Sequence, residues 1–276
     1  MASLKLAIAG KGGVGKTLVA ATLSRLFARD GFRVLAVDAD PAMNLAYAIG
    51  IPADVASKLI PIANNEKLIE EKTGAKPGGS FGTIFSLTPS VDDIAERVGI
   101  LGPDGARLLV MGTVRSGGSG CLCPANALLR ALIAHITLER KDVVVMDMEA
   151  GLEHFGRGTV RGIDALVAVV ESSAQSIYTC KRIKELSSDI GVREVLAVAN
   201  KVSSVEERRF VLQGLKELDL EAVCTIPFDP TVPKADMQRI AVLDFAPLSP
   251  AVSAIRELEE TLKERYRNQY SRRLES

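Results

Sequence analysis

Gly10-Lys11-Gly12-Gly13-Val14-Gly15-Lys16-Thr17 decides the reading of this 276-residue chain. The octapeptide fits Gly-x-x-x-x-Gly-Lys-[Ser/Thr]. It lies between a short apolar run, Leu4 to Ala9, and a stretch with helical apolar spacing, Lys16 to Arg29. In that setting glycines let successive backbone N–H groups converge on phosphate oxygens, and the helix N-terminus adds its positive end. Contacts are expected from the backbone of Gly12, Gly13, Val14, Gly15 and Leu18. Lys16 should reach the β- and γ-phosphates, and the Thr17 hydroxyl should ligate Mg²⁺. A glycine-rich turn without a ligand is the plainer alternative, and the strand–loop–helix context argues against it.

Outward from the loop, more apolar runs of strand length follow. Arg33 to Val37 ends at Asp38, and Val143 to Met146 at Asp147; Ala165 to Val170, Val195 to Ala199 and Ala222 to Ile226 complete the set. Continuous apolar runs separated by amphipathic helices indicate a parallel sheet covered on both faces. The expected fold is therefore α/β, a three-layer P-loop NTPase fold with a mostly parallel central sheet flanked by helices. Residues 1–276 show no repeat, linker or composition shift and read as a single ATPase domain. Residues 51–120 are the least regular and read as an insertion and switch region, with loops or a small antiparallel insertion over Lys72 to Ser90.

Composition narrows the function classes. The chain is 47% hydrophobic and 25% charged, with 34 basic and 34 acidic residues, so it is globular and carries no basic excess for a polyanion. Aromatics are 4% and Trp is absent, which disfavours a stacking platform for single strands. No run of about 18 apolar residues is present, and Met1-Ala2-Ser3-Leu4-Lys5 lacks a signal-peptide layout. The Lys263–Arg273 stretch carries only Tyr266, Tyr270 and Leu274 as an apolar stripe, too thin for a membrane-binding helix, and reads as a solvated one. Neither nucleic acid nor membrane is expected as a partner. Four cysteines in this length do not make a disulfide framework, so a reducing cytoplasm is expected.

Lys11 is not demanded by the basic loop pattern. The form Lys-Gly-Gly-Val-Gly-Lys-Thr resembles the deviant phosphate loop of the MinD/ParA/nitrogenase iron-protein group of dimeric ATPases. The resemblance implies that Lys11 crosses a dimer interface to the partner's nucleotide, with the logic of an arginine finger; an exposed lysine serving phosphates in cis is the alternative. It further implies that, in Val37-Asp38-Ala39-Asp40-Pro41, Asp40 orients the attacking water and Asp38 helps organise the magnesium shell. Asp147 would hold magnesium through water, and Gly151, in a second switch over Met148 to Gly151, would lie near the γ-phosphate. Asn200-Lys201 and Pro227-Phe228 correspond to the group's adenine contacts. Where members usually carry a second hydroxyl after the threonine, this chain has Leu18.

Gly120-Cys121-Leu122-Cys123-Pro124 precedes a strong helical pattern, Ala125 to Ile136. Two thiols one residue apart can chelate if a turn brings their sulfurs to about 2.3 Å from one metal. Gly117, Gly118, Gly120 and Pro124 permit that turn. Pro124 suits the first helical position and Cys123 the N-cap, where the helix dipole favours the thiolate. Two sulfurs make half a site, and a symmetric dimer supplies four at its two-fold axis. Soft thiolates accept Ni²⁺ or Zn²⁺ equally, and a pair of free cysteines is the alternative. Residues 117–136 thus read as a metal-binding loop and interface helix. Cys180 and Cys224 sit singly in apolar surroundings and read as core; His154 reads as a structural or switch residue, with a metal ligand as the alternative, and His135 as a surface or packed residue of its helix.

With these flanks, Gly-Gly-Ser-Gly-Cys-Leu-Cys-Pro-Ala-Asn from Gly117 and Val-Val-Met-Asp-Met-Glu-Ala-Gly-Leu-Glu-His from Val144 resemble the CooC family, nickel-insertion accessory ATPases of carbon monoxide dehydrogenase. Glu149 stands where a glycine is more usual. The resemblance runs from the first strand to about residue 230. It implies a homodimer forming on nucleotide or metal binding, cofactors ATP/ADP and Mg²⁺, and Ni²⁺ as cargo. The client would be apo carbon monoxide dehydrogenase or the related acetyl-CoA synthase. Two rivals stay open. An iron-protein-like reductase would bridge a [4Fe–4S] cluster through its cysteines, and a positioning ATPase would need a membrane tail or a basic face.

Overall fold

A computed structural model describes residues 4–77, 84–112, 123–138, 143–148 and 162–273; the side chains of 123, 138, 189–190 and 268–273 lie outside that description. In chain order the elements are β1 (Leu4–Ala9), α1 (Lys16–Arg29), β2 (Val34–Ala39), α2 (Leu45–Ile49), α3 (Ala53–Ala56), α4 (Glu66–Thr73), α5 (Ile94–Val98), β3 (Ile100–Leu101) and β4 (Arg107–Val110). They continue with α6 (Cys123–Leu138), β5 (Val143–Met148), β6 (Ala165–Val170), α7 (Ala174–Ile190), β7 (Val195–Val202), α8 (Val205–Glu217), β8 (Glu221–Pro227), α9 (Thr231–Met237), α10 (Val242–Phe245) and α11 (Pro250–Arg273).

The strands form one eight-stranded sheet, β3-β4-β2-β5-β1-β6-β7-β8, parallel throughout except for β3 against β4. This is the expected three-layer arrangement, and the strand period of two explains it. Leu6 and Ile8 of β1, with Val143 and Val145 of β5, pack against α1, α2 and α11 on one face. Ala7 and Ala9, with Val144 and Met146, pack against α4, α6, α7 and α8 on the other. From β1 the chain crosses to β2 on one side, and from β6 it runs to β7 on the other. A crevice therefore opens above the C-terminal end of β1, the place where open α/β sheets bind ligands. No helix among the described residues is long and apolar enough to cross a membrane.

Three expectations need correction. Residues 51–120 are more than loops and insertion: Arg107–Val110 is a strand of the central sheet, paired in parallel with β2. Four residues, Arg-Leu-Leu-Val, are too short a run to stand out by periodicity; the described residues of Lys72 to Ser90 hold the end of α4 and loop, which is the loop alternative, and the antiparallel pairing lies at Ile100–Leu101. The C-terminal helix is not simply solvated. Tyr266 is 1% exposed, its hydroxyl donates to Glu194, and Arg265 bridges Glu194 and Glu221. Finally, α6 opens at Cys123 rather than at Pro124, within the usual latitude of helix ends. Cys180 is core, whereas Cys224 is half-buried with its Sγ–H donating to the Ala254 carbonyl at 3.3 Å.

Candidate functional site

The loop between β1 and α1 is shaped by what lies beside it. A Cβ on Gly10 would fall 2.5 Å from the Val169 carbonyl of β6. Gly15 precedes α1 with φ of 98°, a left-handed conformation that costs a side chain energy, and a Cβ there would meet the Asn200 amide at 2.3 Å. The Asn200 Nδ2 donates to the Val14 carbonyl at 2.7 Å, so the loop is tied to the end of β7. Lys16 opens α1 with its side chain 6% exposed, and its Nζ lies 3.8 Å from Asp40 Oδ2. Leu18 is half-buried against the core.

Strand parity delivers the acidic groups. Asp38 and Asp147 are register partners across the β2–β5 pair, each four residues, an even step, beyond Val34 and Val143, so they share the face that meets α1. Both lie inside their strands rather than after them, and both are fully buried. The Thr17 hydroxyl donates to Asp147 Oδ2 at 2.6 Å. Asp38 accepts from the Leu45 N–H at 3.0 Å and the Asp40 N–H at 3.3 Å, which folds the segment after β2 back over the strand end. In that turn Asp40 Oδ1 accepts from the Ala42 N–H at 2.8 Å, and Met43 adopts a left-handed φ of 52°.

Burial, reinforced by the neighbouring Asp147 charge against the Leu45 N–H bond, pushes Asp38 up to about 7. Burial likewise raises Asp147 to about 6, against the Thr17 hydrogen bond and the Lys16 charge. Among the described residues Asp147 Oδ1 has no hydrogen-bond partner. Two adjacent buried carboxylates with a free oxygen are the donor set of a hard divalent cation. Thr17, Asp38 and Asp147 fit Mg²⁺.

Around the loop's outer edge lies a group of charges that sequence reasoning missed in part. Lys11 Nζ is 3.4 Å from Glu171 Oε1, and Glu171 Oε2 is 3.9 Å from Lys201 Nζ. Lys201 takes a left-handed φ of 59° at a register shift in β7 and donates to the Gly13 carbonyl at 2.6 Å. Its ammonium is therefore committed to the loop. Glu171 was findable: it follows the apolar run Ala165–Val170 as Asp147 follows its own, with the same parity. At the end of β8, Phe228 is 53% exposed and its N–H donates to the Val202 carbonyl at 2.9 Å, which places Pro227 and Phe228 beside the end of β7. Gly151, Cys121, Glu149 and His154 lie outside the described residues, as does the Cys123 side chain.

The arrangement offers a backbone cradle, one enclosed lysine, and a hydroxyl and two carboxylates for a metal, converging above β1. The description "CobQ/CobB/MinD/ParA nucleotide binding domain" matches residues 5–259. An uncharacterised ATP-binding protein of Methanocaldococcus jannaschii is 45% identical over 235 residues, 84% of this chain and 88% of that protein. The carbon monoxide dehydrogenase accessory protein CooC of Rhodospirillum rubrum is 44% identical over 244 residues, 88% of this chain and 91% of its own. Among solved structures, the septum site-determining protein MinD complexed with Mg-ADP from Pyrococcus horikoshii superposes with a TM-score of 0.65 at 18% identity, over 94% of this chain and 96% of that one.

Proposed function

The chain belongs to the CobQ/CobB/MinD/ParA nucleotide-binding family, and within it to the CooC group, and from that premise we propose that it is an ATP-dependent metallochaperone. It is an ATPase. In our reading residues 1–276 act as one ATPase domain in the cytoplasm, as a homodimer that binds Ni²⁺ through Cys121 and Cys123 of both copies. It would serve the maturation of carbon monoxide dehydrogenase or of the related acetyl-CoA synthase. The name of the Rhodospirillum relative supports the client, and the soft Cys-x-Cys donors support the cargo.

The observation that carries the nucleotide half is the convergence of Lys16, Thr17, Asp38, Asp40 and Asp147 at the ends of β1, β2 and β5. The loop backbone from Gly12 to Leu18 holds the phosphates, and Lys16 moves from Asp40 to the β- and γ-phosphates. Freed from that lysine, Asp40 orients the attacking water. Thr17, Asp38 and Asp147 would hold Mg²⁺, which would supply charge neutralisation to the phosphates. Lys11 reaches the other copy's nucleotide, and Gly151 follows the γ-phosphate in the second switch. Asn200, Lys201, Pro227 and Phe228 border the base.

Lys16→Ala is expected to abolish nucleotide binding, read by fluorescent-nucleotide titration, while the circular dichroism spectrum stays that of the parent. Undiminished affinity would remove the loop from the mechanism. Anaerobic purification should give a protein without the brown, reductant-sensitive absorption band of an iron–sulfur cluster; such a band would favour the iron-protein-like reductase instead.

A further inference from the structure

One carboxylate beside the loop serves two lysines. Glu171 meets Lys11 through Oε1 at 3.4 Å and Lys201 through Oε2 at 3.9 Å. The lysines come from opposite sides: Lys11 from the loop after β1, Lys201 from the strand end that also fastens Gly13. Side-chain exposure is 34% for Lys11, 47% for Lys201 and 24% for Glu171, so the carboxylate is the most enclosed of the three. Contacts this exposed are individually weak and exchange readily. A cavity of about 450 Å³ lined by Lys11, Ala174, Gln175, Tyr178 and Thr179 leaves room for the Lys11 stem to swing.

If Lys11 acts on a second copy's nucleotide, it must leave Glu171. Its departure would leave a carboxylate that is only 24% exposed with one cationic neighbour fewer. Lys201 already stands at the other oxygen. We propose that Lys201 is a positioning residue acting through Glu171: as Lys11 leaves, the carboxylate closes on Lys201, so the loop lysine is released without an unpaired charge behind it. A lysine that merely braced the loop would need only the Gly13 carbonyl; the second contact, with Glu171, is what ties it to Lys11. This rests on the reading that Lys11 acts in trans.

The test is steady-state ATP hydrolysis by the full chain in Lys201→Met, Lys201→Arg, Glu171→Gln, the Lys201→Met/Glu171→Gln double variant, and Lys11→Ala, with thermal melts confirming that each is folded. Lys201→Met is expected to lower kcat roughly threefold to fivefold, with KM for ATP changed less than about twofold. Lys201→Arg restores the rate, because it keeps the charge. In the Glu171→Gln background, where no charge needs handing over, the effect of Lys201→Met on kcat is smaller than in the parent, the remainder being loss of the Gly13 contact. An equal effect in both backgrounds, or one confined to KM, overturns the inference and leaves Lys201 as a brace on Gly13. An unchanged kcat in Lys11→Ala overturns the trans reading itself, and the inference with it.

Discussion

Asp38 and Asp147 lie side by side, buried, with burial raising both. Such a pair is a liability to the nucleotide-free fold and an asset once a cation shares it. Replacing Asp38 by Asn keeps an oxygen for the Leu45 N–H and removes the charge. Asp38→Asn is therefore expected to reduce hydrolysis by about 100-fold or more, while the melting temperature without nucleotide stays level or rises. A large fall in melting temperature would mean that the carboxylate is structural. Thr17, Asp38, Asp40 and Asp147 were all legible, because motif and strand-end position single them out. The Lys11–Glu171 and Lys201–Gly13 contacts were not, because they join residues 160 and 188 apart in the chain. The parity rule that placed Asp147 applies equally to Glu171 and would have marked it.

Among elements, α1 is fastened to three others by one buried arginine. Arg25, 2% exposed, donates to Asp104 at 2.6 Å, to both Asp244 oxygens at 2.6 and 2.7 Å, and to the Ile49 carbonyl at 3.2 Å. It thereby joins α1 to the turn before β4, to α10 and to the end of α2. Arg25→Ala should cost about 1–3 kcal/mol, since it removes charge-assisted hydrogen bonds from an enclosed site while Arg29 stays beside Asp104 at 3.0 Å; equilibrium urea unfolding reads this directly. Asp229 does similar work after β8. Its carboxylate accepts from the Thr231 N–H at 2.9 Å and hydroxyl at 2.6 Å, and from the Ala251 N–H at 3.1 Å, thus capping α9 and α11 together. Burial acts to raise this carboxyl, but the hydrogen bonds from Thr231, Ser249 and Ala251 outweigh it and hold it at about 2. The folded value lies below the unfolded one of about 4, so the stabilisation is present above about pH 4 and fades as pH falls toward 2. Asp229→Ala should cost about 1–3 kcal/mol at pH 7, and the gap to the parent should narrow through that window. A gap constant from pH 7 to 3 would contradict the assignment. The six long apolar strands were readable from composition alone. Arg107–Val110 was not, because four residues carry no period, nor was the burial of Tyr266, because the one-dimensional pattern around it is polar and its partner Glu194 comes from far along the chain.

For the whole molecule, the sheet order puts the nucleotide loop at the point where the connections diverge, with α6 opening at Cys123 on the opposite face of the sheet from α1. We propose that one symmetric interface serves both the trans lysine and the thiolate metal site, so that nucleotide state and metal binding are linked. Anaerobic Ni²⁺ titration of the reduced protein, with light-scattering mass followed in parallel and with and without nucleotide, tests this. One Ni²⁺ per two chains is expected, with a mass that doubles with metal, and loss of both in Cys121→Ala/Cys123→Ala. Absence of tight binding, or one metal on each monomer with no change in mass, would contradict it.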